Sequence, residues 1–475
     1  MVEKISKSQV LQRIQFENYW WRNNSIEEDY NAMQRRLYFE IFNPMVADLS
    51  VKRAVVLMGP RRVGKTVLLH HTIQDLIEQG VPAQKIIFIT VENPIYTNIA
   101  LEDLFTYALE ATGSQEAKGC YVFFDEIQYL KDWEVHLKTM VDSYRSTKFI
   151  VSGSAAAALK FKSNESGAGR FTDFLLPPLT FYEYIHINKL QHLMVESSLL
   201  WKGKKQVFYD TANPQLLNEH FVKYINFGGY PEIIFSPQMQ KNPGRYIKQD
   251  IVDKVLLRDL PSLYGIKDVQ ELNRLFTTIC FNTAHEFDYE ELSRASGVKK
   301  HLIKTYIAYL ESAFLVKKIQ RIDQSGKRFK REVKFKMYLS NPSLYAALFT
   351  PLALTDEKRM GDLVETAIYA QWMHRESFKP YYAHWGKGEV DMVGLDDGSL
   401  KPAWALEIKW SNRYVEKPNE LKSLIDFCIT NKLESALVTT IDAKIQTEYR
   451  GIQLQFVPCA TYAYNVGKNT LGKKK

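Results

Sequence analysis

Ala54-Val-Val-Leu-Met58 runs directly into Gly59-Pro60-Arg61-Arg62-Val63-Gly64-Lys65-Thr66, and Val67-Leu-Leu-His-His-Thr-Ile73 follows. The first run is short, apolar and β-branched; the last has the composition of a helix. Between them lies the pattern GxxxxGK[ST], in the strand–loop–helix setting that gives the pattern its meaning. Glycines let the backbone fold tightly so that its N–H groups converge, and the helix that follows adds its positive end. Residues Gly59 to Val67 are therefore expected to cradle the phosphates of ATP. Lys65 would reach the β and γ phosphates, and the Thr66 hydroxyl would ligate Mg²⁺.

Working outward, Tyr121-Val-Phe-Phe-Asp125-Glu126 reads as a second buried strand that ends on two carboxylates. Asp125 would hold Mg²⁺, and Glu126 would polarise the attacking water as general base. The alternative is that the pair caps the next helix electrostatically. Lys85-Ile-Ile-Phe-Ile-Thr90 and Lys148-Phe-Ile-Val-Ser-Gly153 complete a set of four strands separated by helix-length segments, which implies a parallel α/β sheet. Ser152 or Ser154 would sense the γ-phosphate, or simply close an ordinary strand-end turn. Arg170 is read either as a finger acting on the phosphoryl group of a neighbouring subunit or as a surface ion pair.

Taken together, GPRRVGKT (59–66), FFDEIQYLKDWE (123–134), VSGSAAAAL (151–159), GRFTDFLLPPLTFYEY (169–184) and FGGYPE (227–232) resemble a prokaryotic family of AAA-superfamily ATPases whose C-terminal domain is of unknown function. The resemblance runs in order along nearly the whole chain. It implies an α/β fold with an AAA-like P-loop core, ATP hydrolysis with Mg²⁺, the roles above for Lys65, Thr66, Asp125 and Glu126, and a homo-oligomer.

The chain has 475 residues, which exceeds one ordinary core, and 45% of them are hydrophobic against 24% charged. Those values exclude a fibrous or wholly disordered protein. Four segments are read: 1–180, N-terminal helices with the ATPase core; 181–285, helical; 286–345, a helical module with a basic hairpin; and 346–475, a second α/β region. The four cysteines are scattered with no CxxC pair, which argues against a disulfide framework or a zinc site. No membrane-length apolar run or signal-peptide pattern is present, so a cytoplasmic protein without a membrane partner is expected.

The net charge is +8, yet Lys299–Lys336 alone holds twelve Lys or Arg and three acidic residues, a net of +9. Within it, residues 289–310 read as helix, Gly-containing turn and helix, with Leu292, Ala295, Val298, Ile303, Ile307 and Leu310 facing inward. Lys299, Lys300 and Lys304 fall where a recognition helix meets DNA. Lys327, Arg328, Lys330 and Arg331, in a hairpin continuing to Lys336, fall where a wing meets phosphates. This looks like a winged helix-turn-helix. A protein-interaction platform, or an edge strand kept soluble by charge, are the other readings.

Further on, Gly361-Asp-Leu-Val-Glu365 starts a helix, and Gly388-Glu-Val-Asp391-Met-Val reads as a strand. Trp404-Ala-Leu-Glu407-Ile-Lys409 is a second strand with Glu407 and Lys409 on one face. This order resembles the PD-(D/E)XK nuclease fold. It implies Asp391, Glu407 and Glu365 as metal ligands, with Lys409 orienting water. The alternative is a buried ion-pair network needing no metal. Asn341 stands where that family is expected to carry Asp.

Overall fold

The computed structural model describes residues 5–113, 116–154, 169–201, 204–329, 333–353, 356–373 and 378–471. The chain divides into two compact units, Met1–Pro177 and Pro178–Lys475. Segments 181–285, 286–345 and 346–475 lie together in the second.

The first unit is built on five parallel strands: β1 (Ala54–Met58), β2 (Ile86–Thr90), β3 (Tyr121–Asp125), β4 (Lys148–Gly153) and β5 (Phe171–Leu175), in the order β2-β3-β4-β1-β5. Strands β1, β3 and β4 are buried along their whole length, as a sheet covered on both faces requires. Helices Lys65–Glu78, Leu101–Ala111 and Trp133–Ser143 form the crossovers. The N-terminal stretch is helical, as expected, and anchors on the sheet. Asn18 exchanges hydrogen bonds with the backbone of Phe88, and Trp20 and Trp21 both donate to Ile86 O.

In the second unit, the stretch read as helical contains an antiparallel hairpin of β6 (Met194–Trp201) and β7 (Lys204–Thr211). Its alternation is that of a strand: Phe208 is 6% exposed and its neighbour Val207 66%. The remaining strands are β8 (Glu286–Asp288), β9 (Val316–Ile322), β10 (Lys334–Leu339), β11 (Tyr381–Trp385), β12 (Gly388–Leu395), β13 (Pro402–Glu407), β14 (Ser435–Thr440), β15 (Ile445–Tyr449) and β16 (Ile452–Pro458). They form one sheet in the order β15-β16-β14-β13-β12-β11-β9-β10-β8. Parallel pairing of β11 with β9 joins segment 286–345 to segment 346–475 without a break.

Helices Tyr289–Ser296 and Lys300–Ser312 follow β8 and precede β9 and β10. Leu292, Val298, Ile303, Ile307 and Leu310 are buried as expected. Ala295 is not: it is exposed, and Ser296 turns inward and donates to Leu292 O at 2.6 Å. All four cysteines are buried and free. Among the described residues no helix is long and apolar enough to cross a membrane.

Candidate functional site

The phosphate loop leaves the C-terminal end of β1, and helix Lys65–Glu78 begins where it ends. Two residues of the loop adopt left-handed backbone, Arg62 at φ 64° and Gly64 at φ 92°. Gly59 is demanded by packing instead: a Cβ there would stand 2.1 Å from Leu176 O. Lys65 is buried, and its ammonium donates to Gly59 O and Pro60 O at 3.0 Å each. The loop is thus folded around its own lysine.

Strand β3 delivers Asp125 beside this loop. Thr66 Oγ1 donates to Asp125 Oδ2 at 2.7 Å, and Ser152 on β4 donates to Asp125 Oδ1. Burial, and then the charge of Glu126, push the Asp125 carboxyl up to about 6. Glu126, directly after the strand, takes left-handed backbone at φ 56°. Gln128 donates to Glu126 Oε2 and accepts from the Ser154 N–H at 3.2 Å. Ser154 Oγ, 1% exposed, has no partner among the described residues. Of the two serines expected to sense phosphate, Ser152 is already committed to Asp125.

Arg170 does not join this site within one chain. Its carbonyl pairs with Ala54 N, at the start of β1, while the phosphate loop leaves the far end. At about 3.3 Å per residue, a five-residue strand separates them by roughly 16 Å. Its guanidinium Nε instead contacts both oxygens of Asp142, at 2.8 and 2.9 Å, in an exposed ion pair.

One residue of the site carried no sequence signal. Arg36 is 4% exposed and donates to Val63 O at 2.6 Å and to Pro177 O at 3.0 Å. It ties the phosphate loop to the chain leaving β5. Residues Gly59 to Thr66 with Asp125 fit a magnesium nucleotide. The loop is folded tightly ahead of a helix N-terminus, and a hydroxyl and a buried carboxylate are already in contact.

In the second unit the four residues singled out by sequence also meet. Glu365 lies on helix Glu357–Trp372, which begins before Gly361; Asp391 lies on β12, Glu407 ends β13, and Lys409 follows two residues on. Lys409 Nζ is 2.8 Å from Glu407 Oε1 and 3.2 Å from Asp391 Oδ2, which also accepts from Ile408 N at 2.8 Å. A fifth member enters from β10. Lys336, expected on the basic hairpin facing phosphates, is buried, 3.0 Å from Glu365 Oε1 and 2.5 Å from Glu389 Oε1.

Burial raises the Glu365 and Glu407 carboxyls, each to about 7. Burial alone would raise Asp391 too, but Lys409, Lys336 and the Ile408 N–H hold it below the ordinary carboxylate value. The expected metal ligands therefore assemble as an ion-pair network. Among the described residues no group of three or more His, Cys, Asp or Glu is arranged to hold a metal ion. Asn341 is buried and caps the backbone of Ser343 at 2.9 Å, a local structural task.

Of the expected DNA contacts, Lys299, Lys300, Lys304, Lys327 and Arg328 are exposed. Lys300 pairs with Glu290 at 3.1 Å, both side chains being well solvated. Arg328 forms a bridge with Ile322, and the Lys327 N–H is held by Asp323 Oδ1 at 2.9 Å. Lys330 and Arg331 lie outside the described residues. Lys334 pairs with Glu286 at 3.0 Å. The +9 of the segment is thus partly neutralised, by Glu286 and by the acids around Lys336.

Residues 51–185 match the family model described as an AAA domain, and residues 218–358 match one described as a domain of unknown function (DUF8612). The first span contains Gly59–Thr66, Asp125 and Glu126; both stop short of Glu365. An uncharacterized protein of Haemophilus influenzae is 23% identical over 279 residues, 58% of this chain and 64% of that protein, so the chain spans just under two thirds of its length. An uncharacterized protein of Methanocaldococcus jannaschii is 22% identical over 384 residues, 79% of this chain and 80% of that protein. The solved structure of Aeropyrum pernix ORC2 shares 14% identity at a TM-score of 0.38, covering 72% of this chain and 96% of that one. Family match and geometry agree on the class: residues 51–185 carry an AAA-type P-loop nucleotide-binding core.

Proposed function

We propose that the protein is a Mg²⁺-dependent ATP hydrolase that engages DNA. The carrying observation is the contact of Thr66 with the buried Asp125, beside a loop wrapped around Lys65. The loop N–H groups and Lys65 bind the phosphates, and Thr66 and Asp125 hold the ion. Bound Mg²⁺ supplies neutralisation of charge developing on the phosphate oxygens. Glu126, held by Gln128, takes the proton of the attacking water. Ser154 lies at the end of β4, where its buried hydroxyl suits a sensor of the terminal phosphate. Because Arg170 sits at the wrong end of its own sheet, it serves as a finger only across a subunit boundary, which goes with a homo-oligomer.

Segment 286–345 is read as a winged-helix module, supported by its order strand–helix–helix–strand–strand and by exposed Lys299, Lys300, Lys304, Lys327 and Arg328. These cations suit phosphates rather than base edges, so the binding is weakly sequence-dependent. Segment 346–475 is read as PD-(D/E)XK-like, supported by the convergence of Glu365, Asp391, Glu407 and Lys409. Metal-dependent cutting is the second reading that this convergence favours. The ammonium of Lys336 among the acids stands against it in the arrangement described.

The test is ATP turnover with and without duplex DNA, alongside DNA affinity at several salt concentrations, for wild type and Lys327→Ala/Arg328→Ala. DNA should stimulate turnover. The double variant should flatten the slope of log affinity against log salt by about 1.8, from roughly 0.9 per phosphate contact. DNA-independent turnover with an unchanged slope would rule out DNA as the partner of this segment.

A further inference from the structure

Lys336 sits on β10 between β9 and β8, and its side chain is 4% exposed. Its ammonium faces three carboxylates from two elements: Glu365 Oε1 at 3.0 Å, Glu389 Oε1 at 2.5 Å and Asp391 Oδ1 at 3.9 Å. Lys409 stands on the other side, on Asp391 Oδ2 at 3.2 Å and Glu407 Oε1 at 2.8 Å. Asp391 thus turns one oxygen to each ammonium. Tyr338, two residues along the same face of β10, donates to the Glu365 oxygen that Lys336 also uses, at 2.5 Å. Strand β10 therefore supplies two donors to this centre, and both converge on Glu365.

A divalent cation and a lysine ammonium seek the same carboxylate oxygens and repel each other at contact range. Two carboxylates stand within hydrogen-bond distance of the ammonium, and the third adds its charge at 3.9 Å. We infer that the Lys336 ammonium occupies the cation position of the C-terminal carboxylate centre and keeps divalent ions out of it in the state described. The inference rests on the nuclease-like reading of Glu365, Asp391, Glu407 and Lys409. It differs from a merely structural ion pair in one respect: removing the lysine creates a site for an ion.

The experiment counts bound Mn²⁺ by electron paramagnetic resonance on the nucleotide-free full chain. It compares wild type, Asp391→Asn, Lys336→Met and Lys336→Met/Asp391→Asn. Wild type should show no Mn²⁺ that depends on Asp391. Lys336→Met should gain one such ion, bound at least about tenfold more tightly than any in wild type, and the double variant should lose it. Equal Asp391-dependent binding in wild type and Lys336→Met would overturn the inference while leaving the nuclease-like reading intact. No Asp391-dependent ion in any variant would overturn both.

Taking one cation out of a buried cluster leaves its carboxylates unbalanced, so Lys336→Met is at risk of unfolding. Lys336→Met/Glu389→Gln, which removes one charge of each sign, is the second variant. Circular dichroism checks its fold, and the same outcomes decide the question.

Discussion

Arg36 gives the sharpest test of how the phosphate loop is built. Its guanidinium donates to Val63 O at 2.6 Å and Pro177 O at 3.0 Å, in a position 4% exposed. The peptide unit Val63–Gly64 is planar, so fixing its carbonyl toward Arg36 points the Gly64 N–H the opposite way. In the proposed nucleotide site that N–H is one of the loop's donors to phosphate. Arg36→Ala removes at least these two hydrogen bonds of a charged donor, each contributing about 1.5–3 kcal/mol, and leaves the carbonyls of Val63 and Pro177 without that partner. Taking the lower value for each bond gives a loss of about 3 kcal/mol. For a unit of this size that is a fall of roughly 6–12 °C in the melting temperature of the first unit. Nucleotide binding should suffer separately. One misoriented N–H donor to a charged phosphate costs about 1.5–3 kcal/mol, or roughly 10- to 100-fold in Kd. Arg36→Lys, which offers a point charge instead of a fork, should fall between. The assays are differential scanning calorimetry and titration with a fluorescent ATP analogue. If Arg36→Ala melts with wild type and binds ATP with wild-type affinity, the guanidinium does not organise the loop.

Two further outcomes bear on the chemistry at β3. Glu126→Gln should bind ATP normally but turn it over about 10²–10⁴-fold more slowly in single-turnover assays, and undiminished turnover would remove the base role. Asp125 titrates at about 6 against an ordinary 3.8, because burial and Glu126 disfavour its charged form. Its contribution to stability is therefore full below the unfolded value and lost as pH rises through about 6. The ion of a bound nucleotide needs the ionised form, so affinity for Mg²⁺-ATP should weaken about tenfold per unit as pH drops below about 6. Binding measured from pH 5 to 8 checks this, and Asp125→Asn should be weak and flat across the range.

The parallel sheet was legible because its interior strands are buried on both faces and spell themselves as unbroken apolar runs. β1, β3 and β4 begin and end on the residues read from sequence, and β2 begins one residue later. β5 was not singled out. It is the edge strand Phe171-Thr-Asp-Phe-Leu175, only its two phenylalanines are buried, and polar residues break the run. The nucleotide residues came from local spacing, which a motif records. Arg36 did not, because its partners lie 27 and 141 residues away and nothing near it in sequence reports them.

Lys336 shows the same gap from the other side. Lys334-Phe-Lys336 reads as charge on an exposed edge, yet β10 lies inside a nine-stranded sheet, with β8 and β9 on its two sides. The acids that receive Lys336 come 29 to 55 residues later. One signal was present. Lys336 and Tyr338 share a face within a run, Phe335 to Leu339, that is otherwise apolar, and a lysine in such company needs buried acids.

Binding of ATP for hydrolysis by Gly59–Thr66 stands or falls on Lys65→Ala. ATP affinity and phosphate release should be measured on the full chain with Mg²⁺, with folding checked by circular dichroism. The variant should fold, show no measurable turnover and bind ATP at least about a hundredfold more weakly, because a buried charged donor to phosphate is lost. Wild-type binding and turnover in Lys65→Ala would contradict that role of Gly59–Thr66.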